Sequence, residues 1–188
     1  MALPLLGTDR LILRDWAAAD LEPFAALNAD PEAMRFFPAI LSRAESDASV
    51  AGIRAHAEAR GFGLWALEVR ATGEFIGFTG LAVPSYETPF TPCVEIGWRL
   101  ARHAWGRGYA TEAARAAFRH GFGELGLEEI VSFTAAVNTR SIRVMQRLGM
   151  RTDPAWDFDH PKVPEAHPLR RHVLYRLGRA AFQARAAG

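Results

Sequence analysis

The hydrophobic positions at the start of the chain change from strand spacing to helical spacing. In segment 8–16 (TDRLILRDW), Leu11 and Leu13 alternate with Arg10, Ile12 and Arg14, which predicts a first strand. Leu21, Phe24 and Leu27 then recur at the spacing of an amphipathic helix, within segment 17–30 (AAADLEPFAALNAD). The chain therefore opens with one strand followed by one helix.

Two capping signals predict further helices in the first third of the chain. Asp30 followed by proline, with Pro38 as the stop, predicts a short helix in DPEAMRFFP. Ser42 and Glu45 form a capping-box pattern, and Gly61 follows at the far end, which predicts a long helix between them.

The middle of the chain has the composition of strands. Segments 62–70, 74–83 and 92–100 are short runs rich in branched and aromatic residues. The turn ATG at 71–73 predicts a hairpin between the first two runs. The proline-rich segment 84–92 (PSYETPFTP) predicts an irregular loop at the rim of a ligand site.

The last third alternates helix and strand. We predict a helix over 108–123, a strand over 128–135 and a helix over 139–149. A segment rich in proline, histidine and acid precedes a last strand at 170–178. With no repeat or linker, residues 1–188 are expected to form one α+β domain with its core at about 8–178.

Composition narrows the functional classes. The 188 residues are 49% hydrophobic and 23% charged, as in globular proteins, and the net charge of +1 argues against a general nucleic-acid binder. Cys93 is the only cysteine, so an internal disulfide and a cysteine-rich metal site are excluded. The first residues lack a basic signal-peptide region, and no apolar run approaches the roughly 20 residues of a membrane span. We expect a cytoplasmic protein.

The segment 105–113 (WGRGYATEA) predicts an anion site. Glycines before a helix let a phosphate approach the free N–H groups of its first turn. The Gly-Lys-Ser/Thr of a P-loop is absent, and Thr111 occupies the third glycine position of the dinucleotide fingerprint. A plain helix start is the alternative.

Two longer segments carry a family resemblance. Segments 94–122 (VEIGWRLARHAWGRGYATEAARAAFRHGF) and 135–150 (AAVNTRSIRVMQRLGM) resemble the GNAT superfamily of N-acetyltransferases, and within it the RimJ/RimL-type branch. The resemblance implies a mixed, mostly antiparallel twisted sheet of about six to seven strands, flanked by helices, with a splayed strand pair holding acetyl-CoA. The motif FDHP…HPLRRHVLYR is similar to that of a bacterial subset acting on small amines and peptides.

The resemblance also implies which residues bind acetyl-CoA. The glycine turn would bind the pyrophosphate, the backbone around residue 99 would pair with the pantetheine arm, and Asn138 would hydrogen-bond the cofactor. Trp105 replaces the usual arginine or glutamine. The expected cofactor-binding residues are Trp98, Arg99, Leu100, Trp105, Gly106, Arg107, Gly108, Tyr109, Ala110, Thr111, Asn138 and Arg143.

Three residues are candidates for the chemistry of acetyl transfer. Glu95 lies within an apolar strand, where an idle carboxylate would be costly, and the resemblance supports a general base; an exposed carboxylate or a salt bridge is the alternative. Met145 stands where many GNAT enzymes carry the general-acid tyrosine. Ser141 matches a serine proposed to assist the thiolate in the branch, with helix capping as its alternative.

His160 completes the catalytic candidates, because an unperturbed histidine transfers protons near neutral pH; an ordinary loop histidine is the alternative. His167 and His172 are weaker candidates, and the spacing of Asp157, Asp159 and His160 gives no convincing metal site, so no metal is expected. The candidates for the acceptor pocket are Phe36, Phe37 and Tyr86.

These observations predict an acetyl-CoA-dependent N-acetyltransferase that acts on a primary amine of a small molecule, an amino-acid derivative or a short peptide. Acetylation of protein N-termini and a non-catalytic CoA-binding module are the alternatives. The expected partners exclude nucleic acid and membrane, and the protein is expected to be a monomer or a homodimer.

Overall fold

A single mixed sheet organises residues 3–186, the part of the chain that the computed structural model describes. Its strands are β1 (Leu6–Gly7), β2 (Leu11–Arg14), β3 (Leu64–Val69), β4 (Glu74–Ala82), β5 (Glu95–Leu100), β6 (Glu129–Ala135), β7 (Arg151–Thr152), β8 (Phe158–Asp159) and β9 (Arg171–Gly178). Their order is β1-β2-β3-β4-β5-β6-β9-β7, and β8 also pairs with β9. Nine strands replace the expected six to seven because β1, β7 and β8 have only two residues each. Among the strand pairings of residues 3–186, the β5–β6 pairing alone is parallel, so the predicted antiparallel majority is confirmed.

Five helices flank this sheet within residues 3–186. They are α1 (Leu21–Ala29), α2 (Arg43–Arg60), α3 (Tyr109–Arg119), α4 (Thr139–Arg147) and α5 (Arg179–Ala186). The predicted capping box of α2 is confirmed: the Glu45 N–H donates to Ser42 Oγ at 3.3 Å, and the Ser42 N–H donates to Glu45 Oε2 at 2.8 Å. Gly61 ends α2 in the left-handed region at φ 76°. A π-helical turn extends α3 over His120–Glu124.

The helix predicted after Asp30 is wrong. Asp30 Oδ1 accepts from the N–H groups of Glu32 and Ala33 at 2.8 and 3.3 Å, but the chain continues as turns. Pro38 has no N–H to extend a helix, and so short a segment gains too few hydrogen bonds to offset helix nucleation. The sequence also did not predict α5 or the two-residue strands β1, β7 and β8.

Two apolar clusters cover the two faces of the central strands. Ile96 and Leu100 of β5 belong to the larger cluster, which includes the buried alanines of α3 and Met145 of α4. Phe78 of β4 belongs to the second cluster, with aromatic and aliphatic residues of α1 and α2. Alternation along β5 therefore places Glu95, Gly97 and Arg99 on the face of the second cluster, as the sequence predicts.

The strands β5 and β6 separate soon after they meet. Glu95 and Val131 form their only ladder pair, supported by the Val131 N–H donating to Val94 O at 2.9 Å. Ser132 Oγ donates to Ile96 O, also at 2.9 Å. Beyond this point β5 continues along β4 up to Leu100, while β6 continues along β9. The predicted splayed strand pair is confirmed, and it leaves one edge of β5 without a neighbouring strand.

Candidate active site

A cavity of about 370 Å³ opens beside the unpaired edge of β5. The N-terminal turns of α3 and α4 form two of its walls, and the turn segment 32–37 forms another. Its lining includes Glu32, Ala33, Phe36, Phe37, Trp98, Arg99, Leu100, Ala104, Trp105, Gly106, Gly108, Tyr109, Ala110, Thr111, Asn138, Arg140, Ser141, Arg143, Val144 and Arg147. The cavity thus collects eleven of the twelve predicted cofactor-binding residues.

The glycine turn exposes backbone N–H groups to this cavity. Gly106 and Gly108 have φ of 73° and 80°, in the left-handed region where other residues are strained. No side chain caps α3, and its first intrahelical bond runs from the Glu112 N–H to Gly108 O at 3.0 Å. The N–H groups of residues 109–111 are therefore free to bind an anion. A Cβ on Gly106 would meet no atom within 4 Å, so the turn borders open space.

Several arginines around the turn were missed by the sequence reading. Arg10 Nη1 donates to Arg107 O at 2.9 Å, and its guanidinium pairs with Glu112 at 2.5 Å. Nothing local in the sequence signals that Arg10, on the loop before β2, lies against α3. Arg140 and Arg147 line the cavity with the predicted Arg143, and their helical spacing was a usable signal. The side chain of Arg107, by contrast, is exposed and does not line the cavity.

Asn138 and Ser141 form a hydrogen-bonded pair at the start of α4. Asn138 Oδ1 accepts from the Ser141 N–H at 3.3 Å and caps the helix. Asn138 Nδ2 donates to Thr134 Oγ1 at 2.9 Å and to Ser141 Oγ at 3.1 Å. Because Ser141 Oγ accepts this bond and lines the cavity, its own O–H is available to donate to a bound group. Helix capping is performed by Asn138 rather than by Ser141.

The indole of Trp105 occupies the position usual for arginine or glutamine. Trp105 Nε1 donates to Leu100 O at 2.7 Å, and Arg140 lies over the indole at 4.3 Å from Cζ to the centroid. The carbonyl at the end of β5 is thereby satisfied from within the chain. Met145, the position usual for the general-acid tyrosine, is fully buried in the larger apolar cluster.

The backbone of β5 offers hydrogen bonds to the cavity at alternate residues. Val94 O and Ile96 O point toward β6, so the backbone groups of Trp98 and the N–H of Leu100 point to the same side. Arg99 differs, because a Cβ on Gly77 would lie 2.1 Å from Arg99 O, which places that carbonyl against β4. Arg99 therefore contributes its side chain to the cavity rather than its backbone.

Glu95 lies at the point where β5 and β6 separate, but it does not line the cavity. Burial raises the pKa of the Glu95 carboxyl to about 7, and the positive charge of Lys162 opposes the rise. A carboxyl with this pKa exchanges protons near neutral pH, as a general base must. Neither the exposed carboxylate nor the salt bridge considered for Glu95 is present within residues 3–186.

His160 contacts Tyr86 on the same face of the sheet as Glu95. His160 Nε2 lies 2.9 Å from Tyr86 Oη, and His160 Nδ1 accepts from the Lys162 N–H at 3.2 Å. Burial, with His172 and Lys162 nearby, lowers the pKa of His160 to about 4. Neutral His160 with Nδ1 as acceptor carries its proton on Nε2 and donates to Tyr86, so both nitrogens are engaged. The two predicted residues are brought together, outside the lining of the cavity.

Of the remaining residues considered from the sequence, two line the cavity and the others lie outside its lining. Phe36 and Phe37 line the cavity. Burial raises the pKa of Cys93 to about 11, so its thiol is protonated and packs beside Phe158 and its neighbours. His172 Nδ1 lies 3.0 Å from Arg170 O, and His167 Nδ1 accepts from the Leu169 N–H at 3.1 Å.

Within residues 3–186 no group of three or more histidine, cysteine, aspartate or glutamate side chains is placed to hold a metal ion. No helix in the same range combines the length and the apolar character that crossing a membrane requires.

Comparison with known proteins gives the family. Residues 10–151 match the acetyltransferase (GNAT) domain. The chain is 36% identical over 160 residues to the FsC-acetyl coenzyme A-N(2)-transacetylase of Aspergillus fumigatus, covering 79% of this chain and 66% of that protein. It is 34% identical over 146 residues to the uncharacterized protein YkkB of Bacillus subtilis, and this match covers 77% of this chain and 84% of YkkB.

Solved structures agree with this assignment. An acetyltransferase from Agrobacterium tumefaciens superposes with a TM-score of 0.75 at 29% identity, covering 94% of this chain and 95% of that one. RimL, a ribosomal L7/L12 alpha-N-protein acetyltransferase solved with coenzyme A, shares the fold at a TM-score of 0.74 and 16% identity. The superposition covers 95% of this chain and 99% of RimL. The chain therefore belongs to the GNAT acetyltransferase family and is an N-acetyltransferase that uses acetyl-CoA.

Proposed function

We propose that the protein transfers the acetyl group directly to a primary amine of a small molecule, an amino-acid derivative or a short peptide, with Glu95 as the general base. The observation that carries this proposal is a carboxyl with a pKa of about 7 at the separation of β5 and β6. An acceptor that binds as an ammonium must lose a proton before its nitrogen can attack, and Glu95 can accept that proton directly or through water.

The residues of the cavity fit acetyl-CoA. The free N–H groups after Gly108 and the arginines of α4 suit the pyrophosphate, and the unpaired edge at Trp98 suits the amide groups of the pantetheine arm. Bound acetyl-CoA supplies a thioester, whose acetyl group an amine attacks without a covalent enzyme intermediate. We assign Asn138 to the same cofactor site.

Ser141 would serve the leaving sulfur. Ser141 Oγ accepts a hydrogen bond from Asn138, so the hydroxyl proton of Ser141 remains available to donate. Ser141 also lines the cavity. A serine hydroxyl is a poor acid, so its role would be a hydrogen bond to the thiolate rather than transfer of a proton.

The name of the Aspergillus fumigatus relative, an acetyl coenzyme A-N(2)-transacetylase, supports transfer to nitrogen. The name of RimL makes acetylation of a protein N-terminus the second candidate. Phe37 lines the cavity and is 39% exposed, which does not favour one kind of amine over the other.

A thiol-release assay with acetyl-CoA tests the proposal. The purified protein is assayed against free amines, dipeptides and intact proteins, with Glu95→Gln as the comparison. Release of CoA that depends on a free amine or a dipeptide, and falls at least tenfold in the variant, is the expected result. Acetylation of intact proteins alone would favour the second candidate, and an unchanged rate in the variant would remove Glu95 from its role.

A further inference from the structure

Arg99 carries a positive charge on a half-buried side chain, and no carboxylate of residues 3–186 neutralises it. It belongs to none of the ion pairs in that range, and its Nε is buried without a hydrogen-bond partner. Burial alone lowers the pKa of Arg99, to about 10. Since an unpaired buried charge is costly, a fold that keeps one beside a cavity has a reason outside its own packing.

The guanidinium is nevertheless held in a fixed position. Arg99 Nη1 donates to Asn28 Oδ1 at 2.5 Å. Asn28 is fully buried, and its Nδ2 donates to Ser46 Oγ at 2.9 Å, which turns the oxygen of the amide toward Arg99. The rings of Phe37 and Phe78 lie 4.0 and 5.5 Å from Arg99 Cζ. An amide and two aromatic rings thus orient the charge without cancelling it.

Two carboxylates of the turn segment after α1 are paired with arginines other than Arg99. Glu32, which lines the cavity, lies 3.1 Å from Arg140. Asp30 lies 3.7 Å from Arg102. Neither carboxylate pairs with Arg99, so the position beside its guanidinium is left to a ligand.

The phosphates of CoA are poor candidates for this partner. Their expected place is the free N–H groups of the glycine turn at the start of α3, flanked by Arg10 and the arginines of α4. Arg99 leaves β5 on the opposite face from Trp98, toward the second apolar cluster, and this is also the face of Glu95. The anion that meets Arg99 therefore arrives with the acceptor.

We propose that Arg99 binds a carboxylate of the acceptor, so that the acceptor is an amine with a carboxylate several bonds away, as in a short peptide with a free C-terminus. This rests on the proposed function, with Glu95 receiving the proton of the same molecule. Glu95 and Arg99 are four positions apart along β5, which corresponds to roughly 13 Å between their Cα atoms. A planar guanidinium matches a carboxylate with two parallel hydrogen bonds.

The test compares dipeptides Gly-Xaa with their C-terminal amides in the thiol-release assay. We expect the wild-type protein to prefer the acid over the amide at least tenfold in kcat/KM. The Arg99→Met variant should reduce this ratio at least tenfold, because it retains the apolar stem and removes the charge. The Arg99→Lys variant should keep part of the preference. Arg102→Met, which removes an exposed arginine paired with Asp30, should leave the ratio as it is.

A wild-type ratio near one, or a ratio that Arg99→Met does not change, would overturn the proposal while leaving acetyl transfer intact. A large loss of acetyl-CoA binding in Arg99→Met would overturn it as well, since Arg99 would then serve the cofactor. If no amine releases CoA, the proposed function fails first. Titration of the N-acetylated dipeptide acid and amide then still decides whether Arg99 binds a carboxylate, because the acid should bind the wild-type protein more tightly. Should Arg99→Met not fold, Arg99→Lys carries the same comparison.

Discussion

His160 Nε2 lies 2.9 Å from Tyr86 Oη, and the backbone N–H of Lys162 holds the other ring nitrogen as an acceptor. His160 therefore donates to the phenol, and the Tyr86 O–H keeps its proton for another partner. Burial raises the pKa of Tyr86, with Glu95 near enough to contribute, so the phenol stays protonated at neutral pH. We propose that His160 is a positioning residue for Tyr86, whose O–H is free to donate to the acceptor.

This relationship predicts that the two side chains act as a unit. Tyr86→Phe and His160→Ala should each lower kcat by about tenfold, and the double variant should lose little more than either one, because the second change removes an interaction already lost. Steady-state kinetics of the four proteins measures this coupling, with acetyl-CoA affinity as the control. Additive losses would mean that His160 acts independently of Tyr86.

Glu95 predicts the pH dependence of turnover. Its pKa of about 7 means that the base form accumulates as the pH rises through neutrality. We expect kcat/KM of the wild-type protein to rise about tenfold per pH unit below pH 7 and to level off above it. The Glu95→Gln variant should have a low rate without this inflection. A wild-type profile that is flat between pH 6 and 8 would contradict the assignment.

The same carboxyl predicts how stability depends on pH. Its pKa is raised from 4.5, so between pH 4.5 and about 7 the folded protein holds a proton that the unfolded chain has lost. The Glu95 contribution to stability therefore falls as the pH rises through this window, by on the order of 1 to 3 kcal/mol. Glu95→Gln should match the wild-type Tm at pH 4.5 and exceed it by several degrees at pH 8. An equal or lower Tm of the variant at pH 8 would show that the carboxylate is not destabilised by burial.

The glycine turn can be tested against a matched glycine elsewhere. Gly106 and Gly73 have φ of 73° and 70°, and a Cβ on either would meet no atom within 4 Å. Alanine at each position should cost a similar 1 to 2 kcal/mol of stability, roughly, because both adopt the left-handed region. Only Gly106→Ala should also weaken acetyl-CoA binding, by about tenfold, since its Cβ would project into the cavity that receives the phosphates. Equal cofactor affinity of the two variants would place the phosphates elsewhere.

Local signals account for what the sequence predicted correctly. The capping box at Ser42 and Glu45 and the left-handed Gly61 are interactions between near neighbours in the chain, and both are present. Alternation along β5 likewise predicted that Glu95 and Trp98 lie on opposite faces. The wrong helix prediction after Asp30 also rested on a local signal. The capping hydrogen bonds to Asp30 form as expected, but the chain does not continue as a helix after them.

Residues brought together over long separations could not be predicted in this way. Arg10 and Glu112 are 102 positions apart and meet at the glycine turn, and Tyr86 and His160 meet across 74 positions. Arg99 illustrates a second limit. Alternation placed it on the same face of the strand as Glu95, but its lack of a carboxylate partner could not be predicted, because Glu32 and Asp30 pair with other arginines.

Substitutions at Asn138 and Ser141 should separate an effect on helix stability from an effect on the rate of acetyl transfer. Asn138→Ala removes the cap of α4 and should lower the free energy of unfolding by about 1 kcal/mol, besides weakening acetyl-CoA binding. Ser141→Ala keeps the backbone N–H that Asn138 caps, so it should leave Tm almost unchanged while lowering kcat several-fold through loss of the hydroxyl bond to the leaving sulfur. Thermal melts and steady-state kinetics of both variants measure the two effects. A Ser141→Ala variant with a full kcat would mean that the sulfur leaves without its help, and one with a lowered Tm would show that the hydroxyl serves the helix.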